Sequence, residues 1–452
     1  MAWLVRDKNF YKKLMILTVP IALQNIITFA VGLSDNIMVG SLGEVALSGV
    51  FVANQMQNIL QMLVIGFGAA MMVLANQYWG RGDVQSVKTL IAISMRIACC
   101  VGIALWLAVL LWPEAVVSLF TNDAATLASA VEYAKIICFS YLFFCMTNVL
   151  IIAMRCVETA KLGTFSALTA FFVNVFLNWV FIFGKLGAPA MGVPGAALAT
   201  LIARIVEFAV VAVYVMRVDT KLRLKLNDLL LRNGKMLRDY LKYGLPVLTG
   251  DLLWGVNLSV QGAIVGRLGP AVIASVSISN IVFQIVSVGI YGLANAAGVV
   301  VGQTVGAGDY DKVKAYARTL QVIFVTLGVA AAVVLFTAKD YILLLYNISG
   351  ETVTVAKQLM TVLSVTIIGT AYQMPTLTGI VRAGGATHFV LVNDLIFVWG
   401  LVLPSATIAA FVLGAPAWIV FACLKSDQVL KCAVAAVKVN RFRWMKNLTG
   451  AC

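Results

Sequence analysis

Apolar runs of about twenty residues recur from one end of this sequence to the other, separated by short polar turns, and that length matches the hydrocarbon thickness of a bilayer. No water is available there to satisfy peptide groups, so such runs form helices or closed barrels, and barrels show shorter, alternating segments. The composition agrees: 62% of the 452 residues are hydrophobic and 12% charged, more apolar than a soluble core of this size requires. Spans are expected at about 14–38, 46–77, 89–112, 131–154, 163–184, 191–216, 238–266, 272–303, 315–337, 354–381, 388–411 and 415–437. The expected fold class is an all-α integral membrane protein, with twelve transmembrane helices in two pseudo-symmetric six-helix bundles.

Charge follows the loops. Arg81, Lys88, Arg155, Lys161, the cluster from Arg217 to Lys242, Lys312, Lys314, Arg318, Arg382 and the tail from Lys438 to Lys446 fall on one side, against Lys185, Arg267 and Lys339 on the other. The positive-inside rule then puts both termini in the cytoplasm, and an odd number of spans would scramble the asymmetry. Topology therefore accounts for the formal charge of +14, and no nucleic-acid partner is expected. The eight cysteines lie mostly in apolar runs without CxxC or Cys/His spacing and read as small buried hydrophobes. The run starting at Leu14 is too long for a cleaved signal peptide. Asn347-Ile348-Ser349 forms a glycosylation triplet on the expected outer side.

A polar stretch near the middle, KLRLKLNDLLLRNGKMLRDYLKYG, reads as a cytoplasmic linker with a surface-lying amphipathic piece. The sequences on its two sides resemble each other. One ungapped offset pairs Pro20 with Pro246, Val39-Gly40 with Val265-Gly266, Leu42-Gly43 with Leu268-Gly269 and Asn54 with Asn280. It also pairs Gly66 with Gly292, Gln77 with Gln303, Gly80 with Gly306, Gly82-Asp83 with Gly308-Asp309 and Val87-Lys88 with Val313-Lys314; a one-residue slip brings Arg155 onto Arg382. The expected domains are an N-terminal six-helix bundle (1–216), a linker (217–237) and a C-terminal six-helix bundle with a basic cytoplasmic tail (238–452). Twin bundles of one orientation suit alternating access around a shared midline.

Polar residues inside the spans are the candidates for function. Asp35 stands in the outer part of the first span, in VGLSDNIMVG (Val31–Gly40). A charge at mid-bilayer costs roughly 2.5–3.5 kcal/mol on insertion scales, so an acid there points to ion or substrate handling. Span length alone also allows a place among headgroups, about 33 Å along the axis from Lys13. Asn174 and Asn178, four apart, share one face of the fifth span, and Thr200 in the sixth lies at comparable depth. A carboxylate, two amides and a hydroxyl are the hard oxygen donors that Na⁺ or a proton relay needs; Asp35, Asn174 and Thr200 are the ligands if Na⁺ binds. The same amides also suit packing contacts between helices. Arg204 and Glu207, three apart, are expected to neutralise each other.

The second half carries Asp251, Asn257, Gln261, Gln284, Asn295, Gln373 and Asp394 in or beside spans, with Gln261 where the repeat places Asp35 in the first. Trp254, Phe283, Tyr291 and Tyr372 offer ring faces to a flat cation, although such rings commonly face lipid or core. The expected lining of a substrate cavity is Gln261, Asn280, Gln284, Tyr291, Asn295, Gln373, Trp254 and Asp251. A lone His388, no GxSxG, no P-loop and no metal-spaced Cys/His set argue against an enzyme or an ATP-driven pump. No cofactor is expected beyond H⁺ or Na⁺ as coupling ion.

At Pro20 to Gly40, with an acid fifteen residues after the proline, and at VNVFLNWVFIFG followed by GVPGAALAT, the sequence resembles the multidrug and toxic compound extrusion (MATE) family. The resemblance spans nearly the whole chain, including the QYWGRGD and QTVGAGD turns and Arg382-Ala383-Gly384-Gly385. It implies ion coupling at Asp35, with Asn174, Asn178, Ala196 and Thr200 matching the surrounding pattern. Some NorM-type members carry acids in the seventh and tenth spans, where this chain has Trp254 and Ala371; Asn178 stands where a family member has an acid. These departures favour Asp35 and H⁺ over a Na⁺ cage. The expectation is an antiporter in the inner or plasma membrane that exports amphipathic, often cationic compounds, with no oligomer required. A lipid-linked oligosaccharide flippase of the same superfamily is the alternative, and it would favour a cationic cavity that few inward-facing Lys or Arg residues supply.

Overall fold

The computed structural model describes residues 4–344, 346 and 348–450, so Asn347 of the glycosylation triplet lies outside the described residues. Twelve helical rods follow in chain order. They are α1 (Lys8–Gly40), α2 (Glu44–Gly80), α3 (Val84–Leu111), α4 (Ala124–Ile137 and Ser140–Cys156, bent by 56°), α5 (Lys161–Phe183) and α6 (Val193–Val218). The second half supplies α7 (Gly234–Val265), α8 (Pro270–Gly306), α9 (Tyr310–Leu343), α10 (Gly350–Val381), α11 (Thr387–Val412) and α12 (Ala417–Leu424 with Ser426–Asn440). Among the described residues nine helices are long and apolar enough to cross a membrane, and the bent α4 makes a tenth. The more polar α7 and the broken α12 complete the twelve. Each expected span falls on one rod, because a helix satisfies its own peptide groups wherever lipid cannot.

The duplicated sequence is duplicated turn geometry. Gly43 and Gly269 close the equivalent α1–α2 and α7–α8 turns at φ +111° and +99°; Gly82 and Gly308 do so after α2 and α8 at +82° and +78°. Glycine takes these left-handed angles without a Cβ penalty. The next residue caps the following helix in both halves: Asp83 accepts from the Ser86 N–H at 3.0 Å and Asp309 from the Lys312 N–H at 3.2 Å.

Packing gathers the chain into two compact units that part at Leu241–Lys242, within the polar middle stretch, with two early segments joining the second. One holds Leu23–Ala75 and Asp83–Leu241; the other holds the start of α1 through Ala22, Asn76–Gly82 and the chain from Lys242 onward. Contacts explain why early segments join the second half. Phe10 stacks on Tyr316 with ring centroids 4.4 Å apart, and Gly292 lets α8 approach α1 so closely that a Cβ there would lie 3.0 Å from the Thr18 carbonyl oxygen. Gly80 rests on the main chain of Gln303, and Gly306 rests on that of Gln77. Residues paired by the repeat therefore make one reciprocal crossing, with small side chains admitting backbone contact.

The linker is amphipathic but is not a continuous helix. Leu222 and Leu224 are buried while Lys221, Arg223 and Lys225 around them are exposed, on irregular backbone with Arg223 at φ +49°. A single tight turn follows at Leu226–Leu230. Lys221 Nζ donates to the Val157 carbonyl at 2.6 Å and Lys88 pairs with Asp228 at 2.8 Å, tying the stretch to the first unit.

Candidate functional site

In the first unit, α5 supplies two amides on one face because Asn174 and Asn178 are one turn apart, and both are buried. The Asn178 amide Nδ2 donates to Asp35 Oδ1 at 2.5 Å and to Asn174 Oδ1 at 3.2 Å. Asn174 Nδ2 in turn donates to Thr200 Oγ1 on α6 at 3.2 Å. Ala196, one turn before Thr200, is buried beneath it without a polar atom to add. Gly192 at φ +59° starts α6 just before Pro194, which sets where this face begins.

Asp35 is partly buried, and its carboxylate accepts from the Asn178 amide of α5. Two residues absent from the sequence reading of this cluster join it. The buried Tyr133 hydroxyl of α4 lies beside Thr200 and Asn54, and the Arg204 guanidinium is a positive charge within electrostatic reach of Asp35. Arg204 also pairs with Glu207 at 2.8 Å, as their spacing led us to expect. The group therefore holds two carboxylates and one guanidinium. Asn178 Oδ1 is buried without a hydrogen-bond partner, an acceptor left open in the centre of the cluster.

The second unit holds a different network. Lys431 on α12 is buried and reaches Asp394 of α11 at 2.8 Å and Asp427 at 3.3 Å; Gln428 Nε2 donates to Asp427, and Gln373 Nε2 donates to Gln428 Oε1 at 2.8 Å. Gln373, expected in a substrate cavity, is thus buried inside this network. Asp427 and Lys431 passed unnoticed in the sequence, although an acid and a base four apart in an apolar span are a readable signal. Asp251 faces Arg382 at 3.6 Å. In the first unit Arg155, the repeat partner of Arg382, donates instead to the neutral amide oxygen of Gln24 at 2.7 Å. Gln261 donates to Asn257 at 3.1 Å, and Asn295 donates back to the Tyr291 carbonyl at 2.9 Å. Asn280, Gln284, Tyr291 and Trp254 keep exposed surface along α7 and α8. Among the described residues, Asn295 and Tyr291 are the one pair of these eight that shares a hydrogen bond.

A family model described as MatE matches residues 20–180 and 253–421, most of the chain. The chain belongs to the MATE family. This MATE chain is similar to the probable multidrug resistance protein NorM of Thermotoga maritima, 24% identical over 401 residues that cover 87% of this chain and 84% of that one. It is also similar to multidrug resistance protein MdtK of Yersinia pseudotuberculosis, 26% identical over 457 residues covering 96% and 95%. Among solved structures, a crystal structure of MATE in complex with MaL6 superposes with a TM-score of 0.86 over 96% of this chain and 97% of that one, at 18% identity. A mutant of the Vibrio cholerae MATE transporter VcmN gives 0.88 over 97% and 98%, at 17% identity. At those identities the likeness is one of fold. The MATE assignment makes this a multi-pass membrane transporter, and it leaves the coupling ion and the cargo to the chemistry of the chain itself.

Proposed function

We propose that this protein exports amphipathic, often cationic compounds from the cytoplasm by alternating access, in exchange for protons that Asp35 takes from outside and releases inward. The observation that carries the reading is the Asn178–Asp35 hydrogen bond, which ties a carboxylate in an apolar span to an amide of α5. Proton transfer suits this set better than Na⁺ coordination. Amide N–H groups, not oxygens, face Asp35 Oδ1 and Thr200 Oγ1, and the positive charge of Arg204 is within electrostatic reach of Asp35. A protonated Asp35 offers an O–H, the one thing the open Asn178 Oδ1 acceptor lacks; half a turn of that amide exchanges one bond for the other. The names of the NorM and MdtK relatives support drug-like cargo. Both termini are cytoplasmic in the inner or plasma membrane, following the loop charges.

Protonation removes a charge from the cluster and so favours whichever arrangement buries Asp35 more completely; a gradient drives transport only through that difference. The test is dye export in everted vesicles under an imposed pH gradient, a Na⁺ gradient, or neither. Export driven by the pH gradient and lost in Asp35→Asn supports the reading, and export driven by Na⁺ alone overturns the proton assignment.

A further inference from the structure

Within the second unit α10 and α12 meet at one point and part toward the α9–α10 turn. They meet where Gly369 rests on the main chain of Gln428. Nearer the turn α12 is broken between Leu424 and Ser426, and its first part seats Phe421 on a buried cluster with Leu359, Met360 and Leu363. Two other stripes are left facing each other without closing: Thr361, Val362 and Val365 on α10, and Trp418, Ala422 and Val429 on α12. The groove between them holds about 680 Å³ of free space, within the range of about 300–1,000 Å³ usual for ligand pockets. From Trp418 to Leu430 it runs about 18 Å at ~1.5 Å per residue, close to one leaflet of a hydrocarbon core about 30 Å thick.

The wall suits an aliphatic occupant. The hydroxyls of Thr361, Thr366 and Ser426 donate to carbonyls of their own helices at 2.8, 3.3 and 2.7 Å, which leaves methyl groups and the indole of Trp418 to face the groove. Val365, Trp418 and Val429 are exposed there. At the end nearest the α9–α10 turn the rim is cationic instead. Lys339 of α9 donates to Thr361 Oγ1 at 3.0 Å and lies 3.9 Å from the Phe336 ring centroid, so both contacts are to neutral groups. Asp340 beside it pairs with Lys357 of α10 at 2.9 Å. Two ammoniums therefore stand against one carboxylate, and the surplus positive charge sits on Lys339 at the mouth of an apolar channel. A neutral apolar guest would leave that charge without a counter-ion; a phosphodiester joined to a hydrocarbon chain satisfies rim and channel together.

We propose that the α10–α12 groove is a binding site for one phospholipid with a net negative headgroup. An acyl chain lies along Val362, Val365, Trp418 and Val429, and Lys339 turns from Thr361 to the phosphate. Binding there requires neither the proton nor the cargo reading of the transport cycle.

The experiment is native mass spectrometry of the purified full-length protein, stripped of lipid in detergent and titrated with phosphatidylglycerol or phosphatidylcholine. Phosphatidylglycerol should bind more tightly. Lys339→Gln should raise its Kd about fivefold, the share of one lysine beside an anionic headgroup, and leave phosphatidylcholine unchanged. Lys339→Arg keeps the charge and should restore the affinity. Val365→Trp puts an indole into the groove from an exposed position and should raise the Kd of both lipids about tenfold. Equal affinity for the two lipids in the unaltered protein overturns the choice of a negative headgroup, as does Lys339→Gln acting on both alike. Phosphatidylglycerol affinity in Val365→Trp within about twofold of the unaltered protein overturns the groove as the seat of the chain, whatever Lys339→Gln does. Val365→Trp alters a side chain outside the packed core, so it decides the matter even if Lys339→Gln yields no folded protein.

Discussion

Asn178 Nδ2 donates to Asp35 Oδ1 at 2.5 Å while its own Oδ1 stays without a partner, so one amide both holds the carboxylate and keeps an acceptor open beside it. A hydrogen bond to a charged group contributes roughly 1.5–3 kcal/mol, and its loss should be felt by the ion cycle before it is felt by the fold. Asn178→Ala is expected to lower gradient-driven export by roughly tenfold or more, and Asn174→Ala by a smaller factor. Gln373→Ala, in the other unit, should have less effect on coupling than either. Initial export rates in everted vesicles check the order.

Lys431 is the most exposed to mutation of the buried charges because both its partners are acids. Lys431→Met leaves Asp394 and Asp427 facing each other without a cation and should destabilise the second unit by roughly 3–5 kcal/mol. Adding Asp427→Asn should restore part of that. Thermal unfolding of the purified protein in detergent reads both variants.

At the reciprocal crossing a side chain has nowhere to go. Gly306→Leu drives a branched side chain into the Gln77 main chain, so a loss of at least about 1–3 kcal/mol is expected, with reduced yield of folded protein. Gly308→Ala, two residues on, meets nothing within 4 Å and carries only the cost of φ +78°, about 1 kcal/mol. A smaller fall in melting temperature for Gly308→Ala than for Gly306→Leu separates crowding from backbone conformation.

The C-terminal segment is strapped to the same end of the second unit. Leu448 N–H donates to Gln77 Oε1 at 2.8 Å, Gln77 Nε2 donates to the carbonyls of Ala383 and Lys446 at 3.2 Å, and Trp444 is fully buried against Gly384. Trp444→Ala is expected to cost roughly 3–5 kcal/mol and to open the tail to protease. Rapid trypsin cleavage at Arg441 or Arg443 in the variant, and slow cleavage in the unaltered protein, is the outcome to look for.

On the linker, burial works against the Asp228 carboxylate, but the Lys88 ammonium and the Lys225 backbone N–H outweigh it and hold the group below its ordinary value of 3.8. A depressed carboxylate stabilises the fold above its unfolded value and loses that contribution as pH falls through the folded one. Asp228→Asn should therefore melt at a lower temperature than the unaltered protein at neutral pH. The gap between them should close as the pH drops below 3.8.

Much of the first-unit cluster was legible because helical spacing is a local property. Asn174 and Asn178 had to share a face once the span was helical, and Asp35 stood out as an acid in an apolar run. Arg204, one turn after Thr200, was legible by the same spacing, whereas Tyr133 was not, because the 56° bend in α4 decides what that helix brings beside Thr200. In the linker the alternation of leucines with basic residues was legible as a surface-lying amphipathic piece, but which surface receives the leucines, that of α3 and the α4–α5 turn, was not.

Apolar run length, loop charge and the internal repeat determined the number of helices, their succession and the paired glycine turns, since those follow from the bilayer and from backbone sterics acting on a few residues at a time. Only the tertiary structure decided that the start of α1 and the end of α2 pack with the second half, that Lys431 serves two acids, and which amide reaches Asp35. Such pairings depend on how closely distant helices approach, which is set by glycine contacts and side-chain volumes summed over the whole unit rather than by any stretch of sequence.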